Sequence, residues 1–335
     1  MTNVTESHPG QGQKLDRRAI AAVFVRIGAF AALGVILLYF AIFARGFTST
    51  FNLLNVVEQS AILTVMAYGM TIVFIGTGTD VQKGGIDLSV AANAGLCAAI
   101  YVTCLKAGYS DFVALPVTFL VGVSIGLLNG LAVVTFRIMP LLATLAVMNI
   151  AAGLELTVTE NSVVSGSSPT LNLLQSGKFI GASALVWLLV IVTIITGVLA
   201  HLTPFGTRLY AVGGFMEAAR VAGLKTGRYV HFSYGFSGGC AAIAAIMIVS
   251  RLSASTPGTG LLLLPILAAA LLGTVFSRRF VPTILGTLIA SLFIGFLANG
   301  FQLLGISSYW VNGVQGALII LVVAVTSFAK PPEGS

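Results

Sequence analysis

AIAAVFVRIGAFAALGVILLYFAIF, residues 19–43, is a 25-residue run carrying one charge, Arg26. As a helix rising about 1.5 Å per residue, it is long enough to cross the roughly 30 Å of hydrocarbon in a bilayer. A secretory signal has a shorter apolar region and a small-residue cleavage site. The run therefore reads as an uncleaved first membrane span. Residues 1–18 before it are polar, with Lys14, Arg17 and Arg18 at the boundary, and read as a cytoplasmic tail.

Nine further apolar runs follow, at 56–76, 87–106, 113–136, 140–158, 182–200, 231–252, 262–277, 281–302 and 309–328. Together with the first they make one transmembrane domain over 19–330. The chain is 57% hydrophobic and 8% charged, whereas a soluble domain carries roughly 25% charged residues. Most side chains must therefore have lipid or protein as their surroundings. A transmembrane β-barrel would show alternating segments of about ten residues, and the other way to satisfy the backbone in lipid is the helix. The expectation is an all-α, polytopic membrane protein with about ten transmembrane helices.

The net charge of +7 does not indicate nucleic acid, because the basic residues stand singly or in small groups between apolar runs. With the amino terminus inside and ten alternating spans, Lys14, Arg17, Arg18, Lys83, Arg137, Arg208, Arg220, Lys225, Arg228, Arg278, Arg279 and Lys330 fall inside. Arg45, Lys106, Lys178 and Arg251 fall outside. That excess is the bias of cytoplasmic loops, and it puts both termini in the cytoplasm. The long inside loop, 201–230, is polar and holds a short helix-compatible stretch, Phe215–Ala222. Gly223 follows it, a residue suited to a helix C-cap. An importer driven by a separate motor needs such a docking helix on this side.

Gly126-Leu127-Leu128-Asn129-Gly130 in the fourth span and Gly295-Phe296-Leu297-Ala298-Asn299-Gly300 in the ninth suggest an internal repeat. Counted as spans 2–5 and 7–10, the two halves correspond and run in opposite directions, the inverted topology of transporters.

Little in the chain carries chemistry. Gly177-Lys178 is the only Gly-Lys pair and lacks the upstream glycine of a P-loop. Gly235-Phe236-Ser237-Gly238-Gly239 matches G-x-S-x-G in letters. It lies in an apolar helix rather than at a strand-to-helix elbow, so its small residues read as a close-packing surface. Gly122, Gly126 and Gly130 share one helix face and read the same way. His8, His201 and His231 are scattered, so no metal site is expected. Cys97, Cys104 and Cys240 have no CxxC spacing and read as small core residues. Asp87 follows Gly84-Gly85 at a span start and reads as a helix cap. Glu58 and Glu155 read as interfacial. The neutral amides Asn93, Asn129, Asn149, Asn299 and Gln302 are the candidates for a polar solute path, with some expected to be interhelical hydrogen bonds instead.

Three stretches carry a family resemblance. Gly84-Gly85-Ile86-Asp87-Leu88-Ser89-Val90 resembles the signature of the ribose-type permeases of ABC importers. Ala211 to Leu224, AVGGFMEAARVAGL, is similar to their coupling segment, and Leu303 to Trp310, LLGISSYW, to their last outer turn. The resemblance implies an inner-membrane permease subunit that is not itself an enzyme. It implies a second permease (homodimer or heterodimer), cytoplasmic ATPase subunits that bind the ATP and Mg, and a periplasmic or extracellular binding protein that delivers a sugar-like solute. No cofactor is implied for this chain. Glu217, Ala218, Ala219, Arg220, Ala222 and Gly223 would be the ATPase-coupling residues, and Gly84, Gly85, Asp87 and Ser89 the signature at the helix start. The chain departs from the pattern at Gly76–Lys83, an apparent insertion, at Leu261–Leu264, where an acid is usual, and at Gly273–Phe280. The competing classes are a secondary transporter or channel, which needs an ion-coupling acid deep in the membrane, and a membrane enzyme, which needs a polar catalytic cluster.

Overall fold

The computed structural model describes residues 27–28, 30–31, 33–78, 85–277 and 281–329. The tail at 1–18, Arg26, Gly84, Arg278 and Arg279 lie outside the described residues. The helices are α1 (Leu33–Phe43), α2 (Thr50–Thr77), α3 (Val90–Lys106), α4 (Asp111–Val134), α5 (Pro140–Thr159), α6 (Pro169–Ser176), α7 (Ala184–His201), α8 (Pro204–Gly214), α9 (Met216–Val221), α10 (Thr226–Leu252), α11 (Leu263–Val275), α12 (Ile284–Leu303) and α13 (Ser308–Ala329). Two-residue strands form two small antiparallel pairs, β1 (Val164–Ser165) with β4 (Ala254–Ser255) and β2 (Lys178–Phe179) with β3 (Ala182–Ser183). Six helices, α2, α4, α5, α7, α10 and α12, are long and apolar enough to cross a membrane; α1, α3, α11 and part of α13 are shorter apolar helices.

Local chemistry sets the boundaries. Ser49, Thr203 and Thr283 accept the amides of Asn52, Gly206 and Gly286, capping α2, α8 and α12. Pro140 and Pro204 stand at the first position of α5 and α8, where a missing N–H costs nothing. α2 stops at Gly78, whose φ of +90° suits glycine.

Each of the nine apolar runs from 56–76 onward meets a helix, with ends shifted by less than two turns, and the described part of the first run is helical over Leu33–Phe43. The larger differences fall in the loops. The 201–230 segment holds two helices, not one: α8 precedes the expected short helix. α8 is too short to register as a span, yet its Leu209 and Val212 are buried. α10 starts at Thr226 rather than 231: its first turns carry Arg228, which is exposed, and His231, half-buried against Gly130, polar residues that end the apolar run early.

α2 and α10 are buried nearly all round, and the other helices pack about them. α4 runs antiparallel to α10 along a row of small residues. A Cβ on Gly122 would meet the Gly238 carbonyl oxygen at 2.6 Å and Ala242 Cβ at 2.8 Å. Gly126 abuts the Tyr234 carbonyl and Gly130 the His231 backbone. The G-x-S-x-G stretch thus presents Gly238 to Gly122, Gly239 to Phe119 and Gly235 to Leu127. With no hydrophobic drive between helices in lipid, such close backbone approach supplies the packing energy. The faces of α5 and α7 turned away from this core carry Leu141, Leu142, Leu145, Ile150, Leu154, Ile191, Ile194 and Ile195, all exposed. In water they would be an aggregation surface; in a membrane, lipid or a second apolar subunit covers them.

Gly126→Leu is expected to destabilise the purified protein in detergent by about 1–3 kcal/mol through overpacking. Gly153→Ala, where a Cβ meets nothing within 4 Å, is expected to leave the thermal unfolding midpoint unchanged or slightly higher.

Candidate functional site

Residues 85–89 lead into α3 through the interior of the bundle, and Gly85, Ile86, Asp87 and Ser89 are all buried. A backbone in that position needs partners from its surroundings. Gly85 N–H donates to Thr77 Oγ1 of α2 at 2.9 Å, and Thr144 Oγ1 of α5 donates to the Ile86 carbonyl at 3.0 Å. Asp87, 1% exposed, is the centre. Its Oδ1 accepts Ser89 N–H at 3.0 Å, Ser89 Oγ–H at 2.6 Å and Asn129 Nδ2–H of α4 at 3.2 Å. Its Oδ2 accepts Ser237 Oγ–H of α10 at 2.6 Å. Asn129 Nδ2 also donates to Ser89 Oγ at 2.7 Å.

Every one of these groups donates to the carboxyl, and an ionised carboxylate is an acceptor only. Asp87 also sits just before the amino terminus of α3, whose peptide dipoles favour an anion there. The described ion pairs lie elsewhere, so hydrogen bonds and helix dipole accommodate this acid. The cap position of α3 itself is Ser89, whose side chain makes no capping bond. Asp87, read from sequence as the cap, stands two residues earlier and instead ties three helices together. Sequence reasoning does not reach Ser237, Thr77 or Tyr234 for this site; a lone hydroxyl in an apolar helix is the only signal each carries. Among the described residues, Tyr234 OH and Asn129 Oδ1 are buried beside the knot without a hydrogen-bond partner.

The other amides do not converge on one cavity. Asn93 donates to the Gly122 carbonyl at 3.0 Å, and Asn299 exchanges hydrogen bonds with Asn52 at 2.8 and 3.0 Å. Asn149 bonds the Leu145 carbonyl of its own helix and is exposed, and Gln302 is exposed. Glu58 pairs with Arg251 at 3.5 Å, both part-exposed. Glu155 differs from its expected boundary position: it is turned into the protein, 3% exposed, against Gly95 of α3.

At the opposite end from the Asn52–Asn299 pair, α9 projects from the bundle. It is one and a half turns long, closed by Gly223 at φ +85°, with Leu224 N–H returning to the Ala219 carbonyl. Ala219 is buried, whereas Glu217, Ala218, Arg220, Ala222 and Gly223 are exposed. Glu217 and Arg220 pair at 3.4 Å in solvent. Phe215 is 72% and Val221 89% exposed. The base is braced by Tyr210 of α8, which donates to the Pro282 carbonyl at 2.6 Å. Burial pushes its phenol up, so it remains an O–H donor.

Long apolar helices around a hydrogen-bonded buried acid, with a short helix standing proud at one end, are the build of a multi-pass membrane protein. Residues 52–323 match the protein family described as "Branched-chain amino acid transport system / permease component". The ribose import permease protein RbsC of Bacillus subtilis (strain 168) is 33% identical over 304 residues, 90% of this chain and 92% of its own length. That of Escherichia coli (strain K12) is 33% identical over 280 residues, 82% of this chain and 85% of its own. The autoinducer 2 import system permease protein LsrC of Salmonella typhi is 28% identical over 307 residues, 91% and 82% of the two chains. This chain belongs to that family of transport permeases.

Asp87→Ala would strand several buried donors, at about 1–3 kcal/mol each. It is expected to lower the thermal unfolding midpoint in detergent more than Ser237→Ala, which removes a single bond to a carboxylate, about 1.5–3 kcal/mol.

Proposed function

We propose that this chain is the permease subunit of an ATP-driven importer, crossing the inner membrane about ten times with both termini in the cytoplasm. The observation that carries it is α9. A short helix that exposes Phe215 and Val221 beside a solvated Glu217–Arg220 pair is suited to a protein groove with an apolar floor and a polar rim. Arg208, Lys225 and Arg228 lie in the same 201–230 segment, so the groove is expected to be acidic at its edge. The occupant of that role is a separate ATPase, which would hold the ATP and Mg. Glu58–Arg251 and Asn52–Asn299 stand at the end expected outside, while α8 and α9 stand at the end expected inside, which supports the alternating topology.

Two halves, α2–α5 and α10–α13, are proposed as an inverted repeat. Corresponding helices keep corresponding neighbours: α3 packs on α4, α5 and α10, and α11 packs on α12, α13 and α2. Gly126 of α4 abuts α10, and Gly295 of α12 abuts Ser60 of α2.

The solute is proposed to be a sugar or similar small polyhydroxylated molecule, handed over by an outer binding protein. The relatives named for ribose support this, and neutral amides suit hydroxyl groups. Asn93, Asn129 and Asn299 are committed to interhelical bonds, so the path would lie between this chain and a second permease, where exposed faces such as that of Asn149 on α5 meet.

Phe215→Asp and Val221→Asp are expected to abolish co-purification of the ATPase and ATP-dependent ribose uptake while leaving the unfolding free energy within about 0.5 kcal/mol of the parent's, as exposed positions do. Uptake driven by a proton gradient without ATP would sink the importer assignment. A cysteine at Val221 is expected to react with an impermeant thiol reagent added from the cytosolic face and not from the outside.

A further inference from the structure

The docking helix and the buried carboxylate knot are joined by contacts that leave little slack. Met216, the first residue of α9, packs against the small apolar cluster formed by Val73 of α2 with Val230 and Tyr234 of α10. Gly213, near the end of α8, touches the last turn of α2 backbone to backbone. A Cβ on Gly78 would lie 2.8 Å from the Gly213 oxygen, and a Cβ on Gly213 would lie 3.0 Å from Gly78 N. The same turn of α2 abuts Ser233 of α10 through Gly76 and holds Gly85 through the Thr77 hydroxyl. Gly85 is itself pressed against Tyr234, whose phenol oxygen would be 2.6 Å from a Cβ there. Asp87, two residues on, grips Asn129 and Ser237.

We propose that residues 85–89 are the relay through which displacement of α9 reaches α3, α4 and α10, with Thr77, Asp87 and Ser237 as positioning residues. This rests on the importer function proposed above. Backbone-on-backbone contacts transmit a shift, because no flexible side chain stands between them to absorb it. At the far end the carboxylate must keep its donors, since an unpaired buried charge is costly. A moving α3 terminus therefore draws Asn129 and Ser237, and their helices, with it. Among the described residues the Tyr234 hydroxyl is left as a spare donor and the Asn129 oxygen as a spare acceptor, which a shifted knot would use. Bistable packing of this kind is what turns small shifts into discrete states.

The test uses the complete importer in proteoliposomes, with Cys104→Ser and Cys240→Ala so that Cys97 is the reporter thiol. Cys97 lies on α3, fully buried, its Sγ 3.6 Å from the Thr118 carbonyl of α4. Its labelling by a membrane-permeant maleimide is measured without nucleotide and after trapping with ATP and vanadate, and no solute is required. Trapping is expected to change the rate on the order of tenfold, a usual size for coupling between sites. Ser237→Ala and Thr77→Val are expected to bring that ratio to near one while the ATPase still co-purifies and hydrolyses ATP at the parent's rate. Ser237→Thr, which keeps the hydroxyl, is expected to restore the ratio. A parent ratio of one, or variants that keep the parent's ratio, overturns the relay, as does loss of the ATPase from both variants, which would make these residues matter only for assembly. A parent chain that purifies without any ATPase is a different result and overturns the importer function instead.

Discussion

A carboxylate placed in the interior of a bundle built for lipid has to be met by hydrogen-bond donors supplied by the protein, and Asp87 imposes that demand here. Its oxygens are filled by Ser89, Asn129 and Ser237, and those donors come from α3's entry segment, α4 and α10. They reach it only if the helices approach closely. The glycines of α4 at 122, 126 and 130 and those of α10 at 235, 238 and 239 allow this approach. Small-residue packing and the buried acid therefore depend on each other: the acid fixes the register in which the glycines meet, and the glycines bring the donors within reach.

The same bundle has a distribution of apolar surface opposite to that of a soluble protein. Polar contacts gather in the centre and at the two ends, while leucine and isoleucine cover the flanks of α5 and α7. Exposed apolar residues also stand off the flanks. Phe215 and Val221 stand beside charged residues at the end of the molecule that carries the 201–230 segment, where the proposed ATPase would cover them. An apolar pair on a six-residue helix with a solvated ion pair is costly to leave bare and inexpensive to cover, which is the character of a reversible docking element.

The helical membrane class was legible because hydrophobic length is a strong signal: a run such as 182–200 has no soluble alternative. The short helix ending at Gly223 was legible because a left-handed C-cap and small residues are local features. The site was legible only in outline. GGIDLSV marked the entry to α3, but a capping role for Asp87 was as far as its neighbours in sequence reached. Ser237 lies 150 positions away, in a stretch that reads equally well as plain packing. Glu155 likewise carried no sign that it faces Gly95 rather than the boundary.

Composition and periodicity alone determined that lipid surrounds this chain, where its long helices run and which loops carry the positive charge. They report on free energies summed over each segment by itself. Tertiary structure decided which of the amides are tied up between helices, that α8 exists and braces α9, and that one acid gathers α3, α4 and α10. Those facts depend on side chains far apart in the chain arriving within about 3 Å of one another, and a periodicity read along one helix holds no information about the register of the next.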